Sequence, residues 1–199
     1  MFTSMTVLLA AALASRAAET PSSIDTFCLP LAKYTERKQS IPQILADLSN
    51  PEADKAARWR SLKNKADLDR HAKEDNAYTQ AFMWTQAGGT AVIMYFTSPS
   101  GDWAEYDNYC YRADGSLARS VSTLNTFNAY SEEDDQLVVS RIRTRHFAAD
   151  GSILKDRTRV VDKKTGRQTK VPFQDQETPI FKSIRDLPFA SLLRRGLSR

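Results

Sequence analysis

Six basic residues stand at every second position in two neighbouring stretches: Arg141, Arg143 and Arg145, then Lys155, Arg157 and Arg159. Side chains two apart leave the same face of an extended strand, so each set places three cations on one side. If the strands pair across Asp150-Gly151 and the two sets share a face, they form one basic patch of up to six charges. An anionic partner could dock there: a cell-wall polymer, a lipid headgroup, an acidic protein or a nucleic acid. The competing explanation is an exposed sheet face balanced by Glu105 and Asp107 on a neighbouring strand. A formal net charge of +4 is far from a nucleic-acid-binding extreme, and no nucleic-acid motif accompanies the patch.

The aromatics offer a second chemistry. Tyr78, Phe82, Trp84, Tyr95, Phe96, Trp103, Tyr106, Tyr109, Tyr111 and Phe127 crowd the first strands of the series. Core packing accounts for most of them. A cup that meets a sugar, lipid or peptide would use Trp84, Trp103, Tyr109 and Tyr111. Alternation puts Tyr109 and Tyr111 on one face with Glu105 and Asp107, and Tyr106 and Cys110 on the other.

Catalytic residues cannot be assigned. His146 has the parity opposite the arginines and reads as a hydrogen-bonded, partly buried histidine. His71 lies near Glu74 and Asp75, but a general base needs a nucleophile and an oxyanion site as well. The chain lacks a G-x-S-x-G elbow, a Walker loop, a dinucleotide-binding glycine turn and H-E-x-x-H. A glycosidase-like carboxylate pair leaves no such signature and stays open as an alternative. The two Asp-Gly turns lack the oxygen pattern of a calcium loop, and the acidic run Ser131–Asp135, the better cation candidate with four carboxylates in a row, reads as a solvated loop. No metal or cofactor is called for.

Cys28 and Cys110 are too far apart for a redox CxxC, and with two histidines they make a poor zinc set. In an oxidising compartment they are expected to form one disulfide between the N-terminal arm and a central strand. The N-terminus agrees with export. An apolar stretch from Met5 to Ala14, too short to span a bilayer, is followed by small residues at Ser15, Ala17 and Ala18. Residues 1–18 therefore read as a signal peptide, although Met1–Ser4 has no basic side chain. Residues 19–199 read as a single exported domain, periplasmic or extracellular, with no transmembrane anchor.

These residues need a scaffold. Residues 19–30 read as an extended arm and 31–74 as helical, with short helices at Leu31–Arg37 and Gln43–Leu48. A longer helix opens on Asn50-Pro51-Glu52 and runs to Arg70, its stripe formed by Ala53, Ala56, Trp59, Leu62 and Ala66. From 77 to 162 the period changes to two. Six strands alternate with turns, two of them the near-copies Ala113-Asp114-Gly115-Ser116 and Ala149-Asp150-Gly151-Ser152. Short links favour an antiparallel meander. The expected fold is α+β, a curved six-stranded sheet packed against N-terminal helices. A small closed or half-open barrel with a helix is the alternative. Residues 171–193 carry too many apolar anchors for a free tail and should cap the sheet, with 194–199 frayed.

The reading of function is a non-enzymatic exported domain that binds a small ligand or an anionic envelope partner. The alternatives are a small exported hydrolase using a carboxylate pair, and a structural accessory protein without a small ligand.

Overall fold

The computed structural model describes residues 18–49, 56–74, 77–126, 138–170 and 179–193. Residues 1–17 of the stretch expected to be a signal peptide, the expected Asn50 cap, the acidic loop at 131–135, the first part of the capping segment and the last six residues lie outside these ranges.

The expected meander is present. β3 (Thr79–Gln86), β4 (Gly89–Thr97), β5 (Trp103–Arg112), β6 (Leu117–Thr126), β7 (Val139–Phe147) and β8 (Ile153–Asp162) pair in chain order, each antiparallel to the next. Both Asp-Gly corners adopt the same geometry. Gly115 N–H donates to the Arg112 carbonyl and Gly151 N–H to that of Ala148, each at 2.9 Å. Both glycines sit at positive φ, 84° and 81°, where a Cβ would be strained. Asp114 and Asp150 each accept the N–H two residues on, from Ser116 and Ser152, at 2.8 Å. A turn of this kind ends in a bulge. The register accordingly shifts between Cys110 and Tyr111 against β6, and between His146 and Phe147 against β8.

Two further strands, where helices were expected, extend the sheet to eight. β1 (Gln43–Asp47) and β2 (Trp59–Leu62) give the order β2-β1-β3-β4-β5-β6-β7-β8. Trp59 and Leu62, three apart and so apparently on one helical stripe, point to opposite sides. Trp59 packs against Phe189 as a tilted pair with ring centroids 4.9 Å apart, whereas Leu62 packs with Ile44 and Leu68. Pairing to β3 buries Ile44, Leu45 and Ala46 on both faces at once, which outweighs the intrinsic helical preference of Leu45 and Ala46. The sheet is curved and open, with β2 and β8 as its edges.

The main helix also falls where the sequence suggested an arm. α1 (Pro21–Thr35) starts on a capping box, Thr20 accepting from Ser23 N–H while the Ser23 hydroxyl takes the Thr20 N–H; Pro21 sits at its first turn. Ile24, Cys28 and Leu31 form its buried stripe against Ala91, Cys110 and Ala118. Cys28 is bonded to Cys110, as expected, with the Cα atoms 5.9 Å apart. A second helix, α2 (Lys65–Glu74), covers Ile44, Ala46 and Leu62 through Leu68.

The capping segment covers the opposite face. Residues 179–193, with a 3₁₀ turn (Ile184–Asp186) and α3 (Ala190–Leu193), place Leu187, Phe189 and Leu193 on Leu45, Val92, Met94, Tyr111 and Phe147. Backbone hydrogen bonds from Leu117 to Lys182 and from Ile184 to Gly115 fix the strap to the first Asp-Gly corner.

Candidate functional site

Opposed residues of antiparallel strands share a face, so the register assigns every side chain of the sheet. On the capped face stand Glu105, Asp107, Tyr109, Ser122, Arg141, Arg143, Arg145 and Asp156. Glu105 and Arg141 are buried and paired, Arg141 Nη2 lying 3.1 Å from Glu105 Oε1, and the Ser122 hydroxyl donates to the same oxygen. Arg143 and Arg145 converge on Asp156 at 2.7 and 3.1 Å. Those contacts hold the Asp156 carboxyl below its ordinary range, Arg143 first and Arg145 after it.

The six cations therefore do not form one patch. Lys155, Arg157 and Arg159 oppose His146, Thr144 and Ile142, on the other face from Arg141, Arg143 and Arg145. The bulge is the cause. Phe147 opposes Ile153, but the extra residue Leu154 makes His146 oppose Lys155, and a one-residue shift turns every later side chain of β8 over. Without it the two sets would share a face. The balancing acids are likewise on the capped side.

The four candidate aromatics are divided too. Trp84 opposes Ala91, which opposes Cys110, so it belongs to the α1 side and is buried there. Tyr109 and Tyr111 are core residues of the capped side. Their hydroxyls donate to Asp107 Oδ2 at 3.0 Å and to the Phe181 carbonyl at 3.0 Å. Burial raises both phenols far above the usual tyrosine range. Trp103 shares that face and is partly buried.

On the α1 side the register arranges three consecutive rows across the strands. The first, Ala91, Cys110, Arg119, His146 and Lys155, runs under α1 as far as His146. There Asp25 of α1 accepts from Arg119 at 2.8 Å and contacts His146 Nε2 at 2.9 Å. Partial burial alone would raise the Asp25 carboxyl, but the Arg119 and His146 contacts together outweigh it and leave it lowered.

Among the described residues, the next two rows are not covered between β4 and β8. One is Ile93, Asn108, Val121, Thr144 and Arg157; the other is Tyr95, Tyr106, Thr123, Ile142 and Arg159. Asn108, Tyr106, Arg157 and Arg159 are exposed and the rest are half-buried. Tyr95 and Tyr106 form a tilted pair with centroids 5.0 Å apart, and Tyr106 keeps 42% of its surface in solvent. A recess of about 140 Å³ lies between Ile142, Thr144, Arg157 and Arg159. A groove of about 230 Å³ follows the flank of α1, between Leu31, Ala32 and Thr35 on one side and Ile93, Asn108 and Arg119 on the other.

This face carries no carboxylate on β4 to β8, whereas Lys155, Arg157 and Arg159 make no ion pair among the described residues. The charges are thus sorted by side. On one face Arg141, Arg143 and Arg145 are neutralised by strand carboxylates; on the other, Arg112 and Arg119 are met by Glu19 and Asp25 beside α1, while Lys155, Arg157 and Arg159 of β8 face solvent. Such a surface attracts anions, and arginine forks can grip them in two places at once.

The chain has no match. Comparison with protein-family models, curated proteins and solved structures returns none. The site therefore rests on geometry. Among the described residues no group of three or more His, Cys, Asp and Glu side chains is set to hold a metal ion, and no helix is long and apolar enough to cross a membrane. The disulfide is consistent with an extracytoplasmic location.

Sequence reasoning missed Tyr95 as part of a site. Tyr106 was already separable from the core tyrosines by alternation, but its neighbours across four strands depend on register.

Proposed function

We propose that this chain is an exported, non-catalytic binding domain, periplasmic or secreted, which holds an anionic envelope component against the open half of its sheet. The observation that carries this reading is the sorting of charge. Lys155, Arg157 and Arg159 face solvent on a side without strand carboxylates, while Arg141, Arg143 and Arg145 are neutralised on the other. A non-catalytic role is supported by the state of Glu105 and Asp107, the carboxylates best placed to act as a pair. Both are buried, Glu105 against Arg141 and Ser122, and Asp107 against Tyr109. A glycosidase acid and its partner must instead flank a substrate.

The test is binding of the disulfide-intact protein to polyphosphate across a salt series. Affinity should fall as ionic strength rises, because exposed charges are screened within about 10 Å at 0.1 M salt. Joint replacement of Lys155, Arg157 and Arg159 by alanine should remove most of the binding, and Arg145→Ala should leave it nearly unchanged. Equal losses from the two faces would refute the proposal.

A further inference from the structure

Tyr106 is exposed on a sheet face, and the strand register links it to a cation. Tyr95, Tyr106, Thr123, Ile142 and Arg159 stand directly opposite one another across β4 to β8. Four inter-strand steps make the row about 19 Å long. The parallel row ending in Arg157 lies two residues away, about 7 Å along the strands. Together they form a narrow strip with α1 as a wall on one side. At one end is a half-exposed pair of aromatic rings, at the other a two-arginine recess, and between them the amide of Asn108 and the hydroxyls of Thr123 and Thr144.

We infer that this strip binds an acidic oligosaccharide lying across the strands, with a sugar ring on Tyr106 and Tyr95 and an anionic substituent between Arg157 and Arg159. The inference rests on the proposed binding of an anionic envelope component and names its chemical class. A sugar ring has an apolar face bordered by hydroxyls, which suits an amphipathic tyrosine beside amide and hydroxyl side chains. Guanidinium forks suit carboxylate, sulfate or phosphate groups on such a chain. A polyphosphate would use the arginines and leave the tyrosines idle. A lipid surface is a poor fit, since the apolar members of the strip, Ile93, Val121 and Ile142, are half-buried between polar neighbours and do not protrude. Protection of an edge strand from aggregation requires no more than a charge. It does not explain why the cations line a recess in register with two tyrosines.

Calorimetric titration of the disulfide-intact protein with an oligogalacturonate, a neutral cello-oligosaccharide, polyphosphate and phosphatidylglycerol vesicles tests the assignment. The oligogalacturonate should bind best. Tyr106→Ala should weaken it by about tenfold while leaving polyphosphate binding unchanged, since an aromatic platform acts on the ring and not on the charge. Arg159→Ala should weaken both by about tenfold. Tyr106 and Arg159 are exposed, so neither change should unfold the protein, and an unchanged melting curve checks this. If Tyr106→Ala has no effect on oligogalacturonate, or if polyphosphate or vesicles bind better than the glycan, the glycan assignment is wrong while binding of anions stands. If no anionic probe binds, both proposals fall.

Discussion

Glu105 and Arg141 carry opposite charges where water scarcely reaches, with side-chain exposures of 1% and 3%. Desolvating two ions costs several kcal/mol each, and their attraction offsets that only while both are present. Glu105→Ala leaves a buried guanidinium without its main counter-charge and should destabilise the fold by about 3–5 kcal/mol in urea unfolding. The solvent-exposed pair Lys65–Asp69 gives the contrast, for Lys65→Ala should stay within about 0.5 kcal/mol of the parent. Asp25 supplies a pH-dependent counterpart. Its carboxyl is lowered from 3.8 in the folded state, so its stabilisation is complete above that unfolded value and is lost as pH falls through the folded one. Half of the Asp25 side chain is exposed, which keeps the effect within about 1 kcal/mol. Asp25→Asn should therefore lower the urea midpoint slightly at neutral pH and flatten its decline below about pH 4.

Among the elements, the β3–β4 link tests how closely backbone and side chains meet. A Cβ on Gly89 would lie 2.3 Å from the Tyr111 carbonyl oxygen, with Leu31 and Phe27 of α1 at 3.2 Å. Backbone cannot swing aside as a flexible side chain can, so Gly89→Ala should cost about 2 kcal/mol or more. Its neighbour has open space, and Gly88→Ala should change stability by less than about 0.5 kcal/mol in the same melts. The Asp150-Gly151 corner was legible as a turn because Asp-Gly between β-formers has few alternatives. Its bulge was not. Whether Leu154 is paired or extra depends on hydrogen bonds between strands, and that one residue decides which face the β8 cations take. The helices show the same limit. Thr20-Pro21 with Ser23 is a valid cap, yet Pro30 within α1 and the polar surroundings of Ile24, Cys28 and Leu31 disguised the stripe.

At the scale of the whole molecule, one covalent bond links α1, the wall of the proposed binding strip, to the strand that carries Tyr106. Cys28–Cys110 closes a long loop, and removing such a constraint from the unfolded chain typically costs about 2–4 kcal/mol. The double variant Cys28→Ser/Cys110→Ser should lose that much in chemical denaturation, and reductant should have the same effect on the parent protein but none on the variant. By itself the sequence determined the six-strand meander, its corner turns, which residues of a single strand share a face and the expectation of one disulfide. Those follow from local chemistry, namely period-two alternation, glycine at positive φ, and two cysteines in a chain with an export-like start. Only the tertiary structure decided the two additional strands, β1 and β2, the helix that covers the sheet and the separation of the cations. Each is set by contacts between residues distant in sequence. β1 becomes a strand because β3 offers it a ladder and both its faces can be buried. Tyr109 and Tyr111 become core because the strap packs over them, its Phe181 carbonyl accepting the Tyr111 hydroxyl, and Arg157 and Arg159 reach the proposed site because a bulge turned them towards the open face.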